Sequence, residues 1–384
     1  MTDIVPPFDQ ILTTHVGSLP RPESLLTLMH PDPDEMPIDS ERLQQALADA
    51  VQEIVSRQVE TGISLISDGE MSKPSYATYI TERLTGFSGE FRGHAAQDLL
   101  DYRDFARRQV EIGAVVPNAG GACCRGEVSV KSLGGLQADL ARFRAAVELR
   151  QPPGAFMNAA SPGVIAMFQK NEYYPDDETY IEAVAMAMRH EFEAIVDAGF
   201  VLQIDCPDLA MGRHLAFMNL SEAQFLKIVR RNIEALNLAV ENIPASKMRM
   251  HVCWGNYPGP HHRDIPLAKI IGTILDAKPA YLLLEGANPR HEHEWRVFEE
   301  FSLPDDKVLV PGVVDSTSNY IEHPDLVAER ICRYADVIGR ERVMAGTDCG
   351  FSTFRDYPTV HPDIAWAKLE SLVEGAYRAT ERLW

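Results

Sequence analysis

The chain has 384 residues, of which 45% are apolar, enough for one large α/β barrel or for two ordinary domains. Its formal net charge is −20 and it has no long basic run, so nucleic acids and anionic membrane surfaces are excluded as expected partners. The N-terminus lacks the features of a signal peptide, and no apolar run approaches the length of a membrane span. The six cysteines show no disulfide-framework spacing, so a reducing, cytoplasmic setting is expected.

The first part of the chain predicts strands that alternate with helices, and this alternation is lost after the second strand. Residues 11–16 read as a first strand, and the apolar period of residues 39–61 predicts a helix. Residues 63–68 predict the second strand. Residues 70–150 are less regular and rich in polar turns, and a short strand or hairpin is expected at 126–130.

The second part predicts six further strands that alternate with helices. Strands are expected at 155–160, 201–205, 248–253, 281–285, 308–314 and 343–347, and helices at 177–198, 221–241, 267–277 and 324–338. This pattern predicts an α/β fold of the (β/α)8 TIM-barrel class. A doubly wound sheet is the rival, but no glycine-rich dinucleotide fingerprint follows the first strand. We expect one catalytic domain over residues 1–384, with an insertion at about 85–150.

Four residues of metal-binding types lie at the predicted C-terminal ends of three strands. His251 and Cys253 are two positions apart on one strand, so both side chains point to the same side. Glu285 ends the following strand, and Cys349 follows the last one. Taken singly, such a Cys is more often a small buried apolar residue. Together, at the edge where a barrel carries its chemistry, the four predict a zinc site.

These residues resemble the zinc-binding catalytic barrel of the cobalamin-independent methionine synthase family. The His-x-Cys pair at 251–253, Glu285, and Cys349 within the Thr-Asp-Cys-Gly turn at 347–350 match the positions with which that family binds zinc. The resemblance covers essentially the whole length of that barrel, without the folate-binding N-terminal half of the longer enzymes. It implies methyl transfer to homocysteine, with methionine as the product.

The resemblance also implies a binding site for homocysteine. A loop after the first strand looks like the family's loop for the homocysteine carboxylate, and two acids at later strand ends look like the positions that hold its amino group. One more polar residue near the barrel mouth is a further candidate. The residues expected to bind substrate are Val16, Gly17, Ser18, Glu70, Asp205 and Asn288.

Three departures from the family pattern bear on the methyl donor. The family's catalytic histidine after the seventh strand is missing, since residues 315–319 read Asp-Ser-Thr-Ser-Asn. Cys206 stands where a second acid would follow Asp205, and the tryptophan that packs against folate is not evident. Methylfolate is therefore not the expected donor, and a corrinoid protein or another methyl-donor protein is left open.

A group that protonates the leaving atom is expected among the histidines on the loops after the fifth and sixth strands. The candidates are His261, His262 and His291, each of which could instead be a loop residue bonded to a nearby carboxylate. Glu285 is expected to have a second role, as the metal ligand displaced when the substrate sulfur arrives.

The chain also resembles epoxyalkane:coenzyme M transferase, in its stretches at 253–264 and 288–295. Both families alkylate a thiol, and zinc removes the proton that a free thiol, with a pKa of about 8.5, keeps at pH 7. We therefore expect a zinc-dependent S-alkyltransferase, most simply one that methylates homocysteine. Epoxide opening is the first alternative.

Two further alternatives are a zinc hydrolase and a zinc-storage or structural protein. Hydrolases rely mainly on His and carboxylate ligands, so two cysteine ligands argue against the first. A structural site would normally be closed and lie away from a barrel mouth. The sequence leaves the thiol, the alkyl donor and self-association into a homo-oligomer open.

Overall fold

The computed structural model describes residues 6–29, 40–113, 119–354 and 359–384. Within these ranges the strands are Leu65–Ile66 (β1), Phe87–His94 (β2), Ala119–Cys124 (β3), Gly154–Ala160 (β4), Val201–Asp205 (β5), Met248–Val252 (β6), Tyr281–Leu284 (β7), Val308–Val314 (β8) and Gly346–Thr347 (β9). The α-helices are Glu23–Met29 (α1), Ser40–Thr61 (α2), Ile80–Arg83 (α3), Gln97–Asp101 (α4), Arg103–Glu111 (α5), Gly134–Arg150 (α6), Pro162–Phe168 (α7), Asp177–Asp197 (α8), Glu222–Ala239 (α9), Leu267–Ile274 (α10), Val297–Glu300 (α11), Pro324–Ile338 (α12) and Pro362–Leu383 (α13). Short 3₁₀ turns lie at Pro207–Leu209, Met211–Arg213, Ala245–Lys247, Glu294–Arg296 and Arg340–Arg342. In this described part of the chain, no helix has the length and apolarity that crossing a membrane requires.

Seven strands form one parallel sheet in the order β1-β4-β5-β6-β7-β8-β9, which is also their order in the chain. Helices follow the strands along the chain and pack against the sheet, α8 on β4 and β5, and α12 and α13 on β8. A strand buried on both faces reads as a continuous apolar run, as β8 does, since all its residues are buried. The sequence-based prediction of an α/β fold with alternating strands and helices is therefore confirmed.

The register of the sheet brings the predicted site residues to one edge. Asp205 of β5 lies opposite His251 of β6, and His251 lies opposite Leu283 of β7. Because parallel strands end at the same edge, the loops after β5, β6, β7 and β9 share one end of the sheet. Below this end, Leu283, Val310 and Met344 pack together in a cluster that also contains Cys253 and Cys349.

The two ends of the sheet are connected through the segment predicted as the first strand. Thr13 forms a parallel bridge with Ala345, and Thr14 forms one with Leu65 of β1. The prediction of a strand over 11–16 is wrong in extent, because side chains take backbone N–H groups that a ladder would use. The Ile11 N–H donates to Thr380 Oγ1 at 3.0 Å and the Thr13 N–H to Ser64 Oγ at 3.1 Å.

Other predicted strands are shorter than expected. The structure assigns two residues each to β1 and β9, against the predicted ranges 63–68 and 343–347. After β1, side chains bond the backbone of the loop that begins at Ser67. After β9, the Asp348 N–H still donates to the Val314 carbonyl of β8 at 2.9 Å before the chain turns away.

The region between β1 and β4 differs from its prediction in two ways. The hairpin expected at 126–130 is instead an antiparallel pair of β2 with β3, and Val130 forms only an isolated bridge with Leu84. Residues 134–150 were expected to be irregular but form α6, whose buried residues, from Leu136 to Val147, recur every three to four positions along one face and include the charged Asp139. The domain boundary of the insertion at about 85–150 stays a prediction.

Arg83 of α3 is a buried cation that connects α3 to α6 and α8. Its guanidinium pairs with Asp139 of α6 at 2.9 Å and with Glu191 of α8 at 2.6 Å. We expect Arg83→Met to lower the free energy of unfolding by about 3–5 kcal/mol, because Glu191 would become an uncompensated buried charge. Denaturant unfolding measures this change against Arg107→Met, which removes only exposed ion pairs. Equal stability of the two variants would contradict the prediction.

Candidate metal centre and active site

One imidazole and two thiols converge at the C-terminal edge of the sheet. The donor atoms of His251, Cys253 and Cys349 all lie within 4.8 Å of one another, and all three residues are buried. The two sulfurs are 3.8 Å apart. The hydrogen bond with Cys349 and burial together hold the pKa of Cys253 well above its usual value. Three of the four predicted metal ligands thus form a group that could hold a metal ion.

His251 is in the state that metal binding requires. Burial and the nearby charge of Arg249 lower the pKa of His251 to about 3, so its imidazole is neutral. Among the described residues, neither ring nitrogen has a hydrogen-bond partner. A buried histidine normally bonds through at least one nitrogen, so the two unpaired nitrogens indicate that a ligand belongs here.

Glu285, the fourth predicted ligand, lies beside this group but outside it. One carboxylate oxygen accepts a hydrogen bond from the Trp254 N–H at 2.7 Å, and the other accepts one from Asn288 Nδ2 at 2.9 Å. Burial and the nearby Cys253 raise the pKa of Glu285 well above its usual value. The carboxylate is therefore held next to Cys253 by two donors on the loops after β6 and β7.

Asp348 positions the loop that carries Glu285. Its carboxylate accepts hydrogen bonds at 2.8 Å from the backbone N–H groups of Gly286, Ala287 and Asn288, and one at 2.9 Å from the Asn288 side chain. The Asn288 side chain bridges Asp348 and Glu285, and its role in substrate binding stays a prediction. The loop with Cys349 and the loop with Glu285 are therefore held together directly.

This arrangement requires a glycine at position 312 of β8. A Cβ atom there would lie 2.0 Å from Asp348 Oδ1 and 2.8 Å from the Asp348 backbone nitrogen. We expect Gly312→Ala to lower the free energy of unfolding by about 1–3 kcal/mol and to weaken metal binding, because Asp348 and Cys349 must shift. Thermal unfolding and metal titration measure both effects. Gly135→Ala is the control, since a Cβ there meets nothing within 4 Å. If Gly312→Ala changed stability and metal affinity no more than Gly135→Ala does, the prediction would be contradicted.

The predicted carboxylate loop lies against the metal-binding group. Val16 and Ser18 line the same cavity as His251 and Cys253. Gly17 has a φ of +139°, and a Cβ there would lie 2.3 Å from Asn158 Oδ1. The Asn158 amide donates to the Val16 carbonyl at 2.8 Å, so this side chain fixes the loop and excludes any larger residue at 17.

Glu70 and Asp205, both predicted to bind substrate, line the cavity. Burial raises the pKa of Glu70 to about 7, with the charge of Lys73 opposing it. Oε2 of Glu70 has no partner among the described residues, and the backbone φ of Glu70 is +57°. Such a conformation costs about 1–3 kcal/mol outside glycine and is typical of functional sites. This oxygen is therefore available to a molecule bound in the cavity.

The Asp205 carboxylate is better satisfied. It accepts hydrogen bonds from Asn158 Nδ2 at 3.0 Å and from Gln203 Nε2 at 2.8 Å. Burial nevertheless raises the pKa of Asp205 to about 6. Asn158 therefore connects the loop at Val16 to the acid at 205, which the sequence pattern alone did not indicate.

The three histidines predicted as general acids do not line the cavity. His262 is exposed and bonds to Asp101 at 2.9 Å. His261 and His291 share the buried Asp264 carboxylate, each at 3.0 Å. Burial opposes the charge of His291, but its bonds to Asp264 and Glu294 raise its pKa to about 10. These contacts match the alternative interpretation of loop residues bonded to carboxylates, and a catalytic role for them stays a prediction.

A cavity of about 310 Å³ opens above the metal-binding group. Its inner end contains Ser18, Glu70, Asp205, His251, Cys253 and Cys349, and its outer part is lined mainly by apolar and aromatic side chains. Tyr76 and Tyr257 belong to this lining and were not singled out from the sequence. Both lie in segments without a strand pattern, and only their position on loops next to predicted site residues could have suggested them.

The sequence matches known proteins along most of its length. The family model for the catalytic domain of cobalamin-independent synthase matches residues 163–374, more than half of the chain. A methionine synthase of Saccharolobus islandicus is 26% identical over 376 residues, covering 97% of this chain and 95% of that protein.

Two solved structures resemble the fold over nearly the whole chain. A B12-independent methionine synthase from Shewanella sp. W3-18-1, in complex with selenomethionine, has a TM-score of 0.74 at 17% identity and covers 97% of this chain and 99% of its own. A vitamin-B12-independent methionine synthase, described as putative, from Listeria monocytogenes has a TM-score of 0.66 at 19% identity, with 98% and 99% covered. At these identities the likeness shows a common fold.

Proposed function

The chain belongs to the cobalamin-independent methionine synthase family, and we propose that it is a zinc-dependent methyltransferase that converts homocysteine to methionine. The observation that carries this proposal is the convergence of His251, Cys253 and Cys349 within 4.8 Å at the inner end of a cavity. The matching relatives from Saccharolobus and Shewanella are both described as methionine synthases, which supports the same reaction here.

The residues present fit a zinc ion. One neutral imidazole with unpaired nitrogens and two thiols form a soft donor set of the kind zinc prefers. We propose Glu285 as the fourth ligand, since it is buried beside Cys253 and would leave the site when the substrate sulfur binds. When bound, zinc supplies a lowered thiol pKa, so that the substrate sulfur is a thiolate at neutral pH.

The chain's own residues would bind the rest of homocysteine. We propose that Glu70 and Asp205 hold the ammonium group, because Glu70 offers an unpaired buried oxygen and both acids line the cavity. Val16, Gly17 and Ser18 would orient the carboxylate, with the Ser18 hydroxyl as a donor. An acidic pair suits an amino acid and is unsuited to coenzyme M, which has a sulfonate and no amino group. Homocysteine is therefore the acceptor that the site favours.

We also propose that the seven-stranded sheet is completed as an eight-stranded barrel. Hydrogen bonds run from the Thr14 N–H to the Ala345 carbonyl at 2.9 Å and from the Leu65 N–H to the Thr13 carbonyl at 3.0 Å. The segment at 12–14 therefore bonds to both ends of the sheet and would act as a very short first strand. A single catalytic domain over 1–384, with its insertion above the cavity, is part of the same proposal.

Calorimetric titration of the zinc-loaded protein with homocysteine, and separately with coenzyme M, tests the proposed function. Homocysteine should bind with release of a proton, seen as a binding heat that changes between two buffers, and coenzyme M should bind more weakly. In Glu285→Gln, metal affinity or turnover should fall. Binding of coenzyme M alone would overturn homocysteine as the acceptor. Unchanged metal affinity and turnover in Glu285→Gln would overturn Glu285 as the fourth ligand.

A further inference from the structure

The outer part of the cavity is built largely by the region between β1 and β4. This outer part is called the outer cavity below. Its walls are formed by Tyr76, Leu99, Leu100, Val110, Phe168 and Phe354. Leu99 and Leu100 belong to α4 and Val110 to α5. The outer cavity is continuous with the inner end that contains the cysteines, so a molecule bound there would meet the substrate sulfur.

Three aromatic rings form one wall of the outer cavity. The Tyr76 ring packs edge-to-face against Phe168, with centroids 6.0 Å apart, and against Phe354 at 5.7 Å. Rings in this arrangement favour a further aromatic group, because edges and faces carry opposite partial charges. Leu100 and Val110 are 43% and 38% exposed and complete the opposite rim.

The outer cavity offers little to an anionic ligand. Outside the metal-binding group, the described lining contributes only Arg103 and His94 as basic side chains. Burial lowers the pKa of His94, so at neutral pH Arg103 is the one cation of the lining that the structure describes. The acids Glu70 and Asp205 lie at the inner end and the chain carries a net charge of −20. A folate with a chain of glutamates would meet a single arginine in this described lining, against two acids at the inner end and a negatively charged protein.

Resting on the proposed methyl transfer, we propose that the outer cavity binds the methyl donor and that this donor is an uncharged aromatic methyl ether. The thiolate sulfur of homocysteine attacks the methyl carbon, a carbon–sulfur bond forms, and the carbon–oxygen bond breaks with its electron pair on oxygen. The proton lost by the thiol ends on the phenol that leaves. Thiol and ether thus give thioether and phenol, without an oxidant or reductant.

The aromatic ring of the methyl donor contributes to its binding in the outer cavity and also makes the departing oxygen a better leaving group. A phenol has a pKa of about 10, as in tyrosine, well below that of an aliphatic alcohol. Among neutral oxygen-linked methyl donors, an aryl ether therefore releases the better leaving group. The ring itself matches the wall formed by Tyr76, Phe168 and Phe354.

Tyr76 is placed to stabilise the leaving oxygen. Its ring is held on two sides by Phe168 and Phe354, and Tyr76 lines the cavity together with Cys253 and Cys349. A phenolic hydroxyl has a pKa of about 10, so at neutral pH it is a hydrogen-bond donor. A donor aimed at a developing phenolate lowers the barrier more than it strengthens ground-state binding.

The probe for this proposal is 2-methoxynaphthalene, a neutral fluorescent aryl methyl ether. Fluorescence titration should show binding to the zinc-loaded protein, with a Kd raised at least about tenfold in Leu100→Glu, where a charge enters the apolar rim. Leu149→Glu is the matched control, because Leu149 is 62% exposed on α6 and does not line the cavity. With homocysteine present, 2-naphthol and methionine should appear in equal amounts.

Tyr76→Phe separates binding from the chemical step. It keeps the ring and should leave the Kd for the probe unchanged, while kcat falls about 100-fold with loss of the donor. Three results would overturn the proposal: an unchanged Kd in Leu100→Glu, no 2-naphthol, or turnover only with triglutamyl methylfolate or with 1,2-epoxypropane. Proton release on homocysteine binding separates failure of this proposal from failure of the proposed function. If the proton is still released but no 2-naphthol forms, the aryl ether is rejected as the donor and the proposed methylation of homocysteine stands.

Discussion

Replacing Cys349 with serine is expected to abolish the bound metal and at least about 99.9% of turnover. Four ligands share about 10–16 kcal/mol of zinc-binding energy, so one ligand contributes roughly 3 kcal/mol, or a factor of about 100 to 1,000 in affinity. Cys349 and Cys253 lie 3.8 Å apart, and a serine hydroxyl at one of these positions is a hard, neutral and poor zinc ligand. Without metal the substrate thiol stays protonated at neutral pH.

Metal content after dialysis and cobalt absorption measure the effect directly. The cobalt-substituted protein should show thiolate-to-metal charge transfer, and Cys349→Ser should weaken it. Cys332→Ser is the matched control, because Cys332 is a half-buried thiol of α12 outside the cavity. Retention of stoichiometric zinc and activity by Cys349→Ser, with reductant present throughout, would show that the metal is held elsewhere.

The alternating strands and helices of the parallel sheet are predictable, because burial imposes a simple apolar pattern on each of them. Strands buried on both faces must be apolar along their length, and crossover helices must carry one apolar stripe. The sequence predicts β4, β5 and β8 almost residue for residue, and α8 and α12 equally well. The metal-binding group follows from the same rule, since strand ends in a parallel sheet meet at one edge.

The region between β1 and β4 is less predictable, because it buries polar residues of types that are usually exposed. Asp98 on α4 is completely buried and accepts hydrogen bonds from the Tyr257 hydroxyl at 2.8 Å and the His261 N–H at 2.9 Å. These bonds dock α4 over the cavity. The partners lie about 160 positions along the chain, and no local pattern indicates such a contact.

The predicted general acids illustrate the same difficulty. Sequence places His261 and His291 on loops near the barrel mouth, and the structure does put them there. What decides their chemistry is Asp264, which accepts a bond from both rings. A histidine near a site and a histidine facing it have the same sequence pattern, so the distinction needs coordinates.

The affinity for methionine is expected to depend on pH through Glu70. The pKa of Glu70 is raised to about 7 by burial, so below pH 7 the free protein carries a proton there. An ammonium group needs the ionised carboxylate, so this proton must leave on binding. Affinity should fall about tenfold per pH unit below 7 and level off above it. Methionine is the ligand of choice because it has no thiol proton to complicate the profile.

Glu70→Gln should weaken methionine binding at pH 8 by roughly 100-fold, since a buried charge-assisted bond worth about 3 kcal/mol is lost. The profile between pH 6 and 8 should also flatten, leaving only the dependence from Asp205, whose pKa is raised to about 6. Glu299→Gln, on the exposed face of α11, should keep both affinity and slope. A pH-independent affinity in the unmodified protein, or an unchanged slope in Glu70→Gln, would place the ammonium group away from Glu70. The strained backbone at this residue would then need another explanation, because its unpaired oxygen is what a bound cation would satisfy.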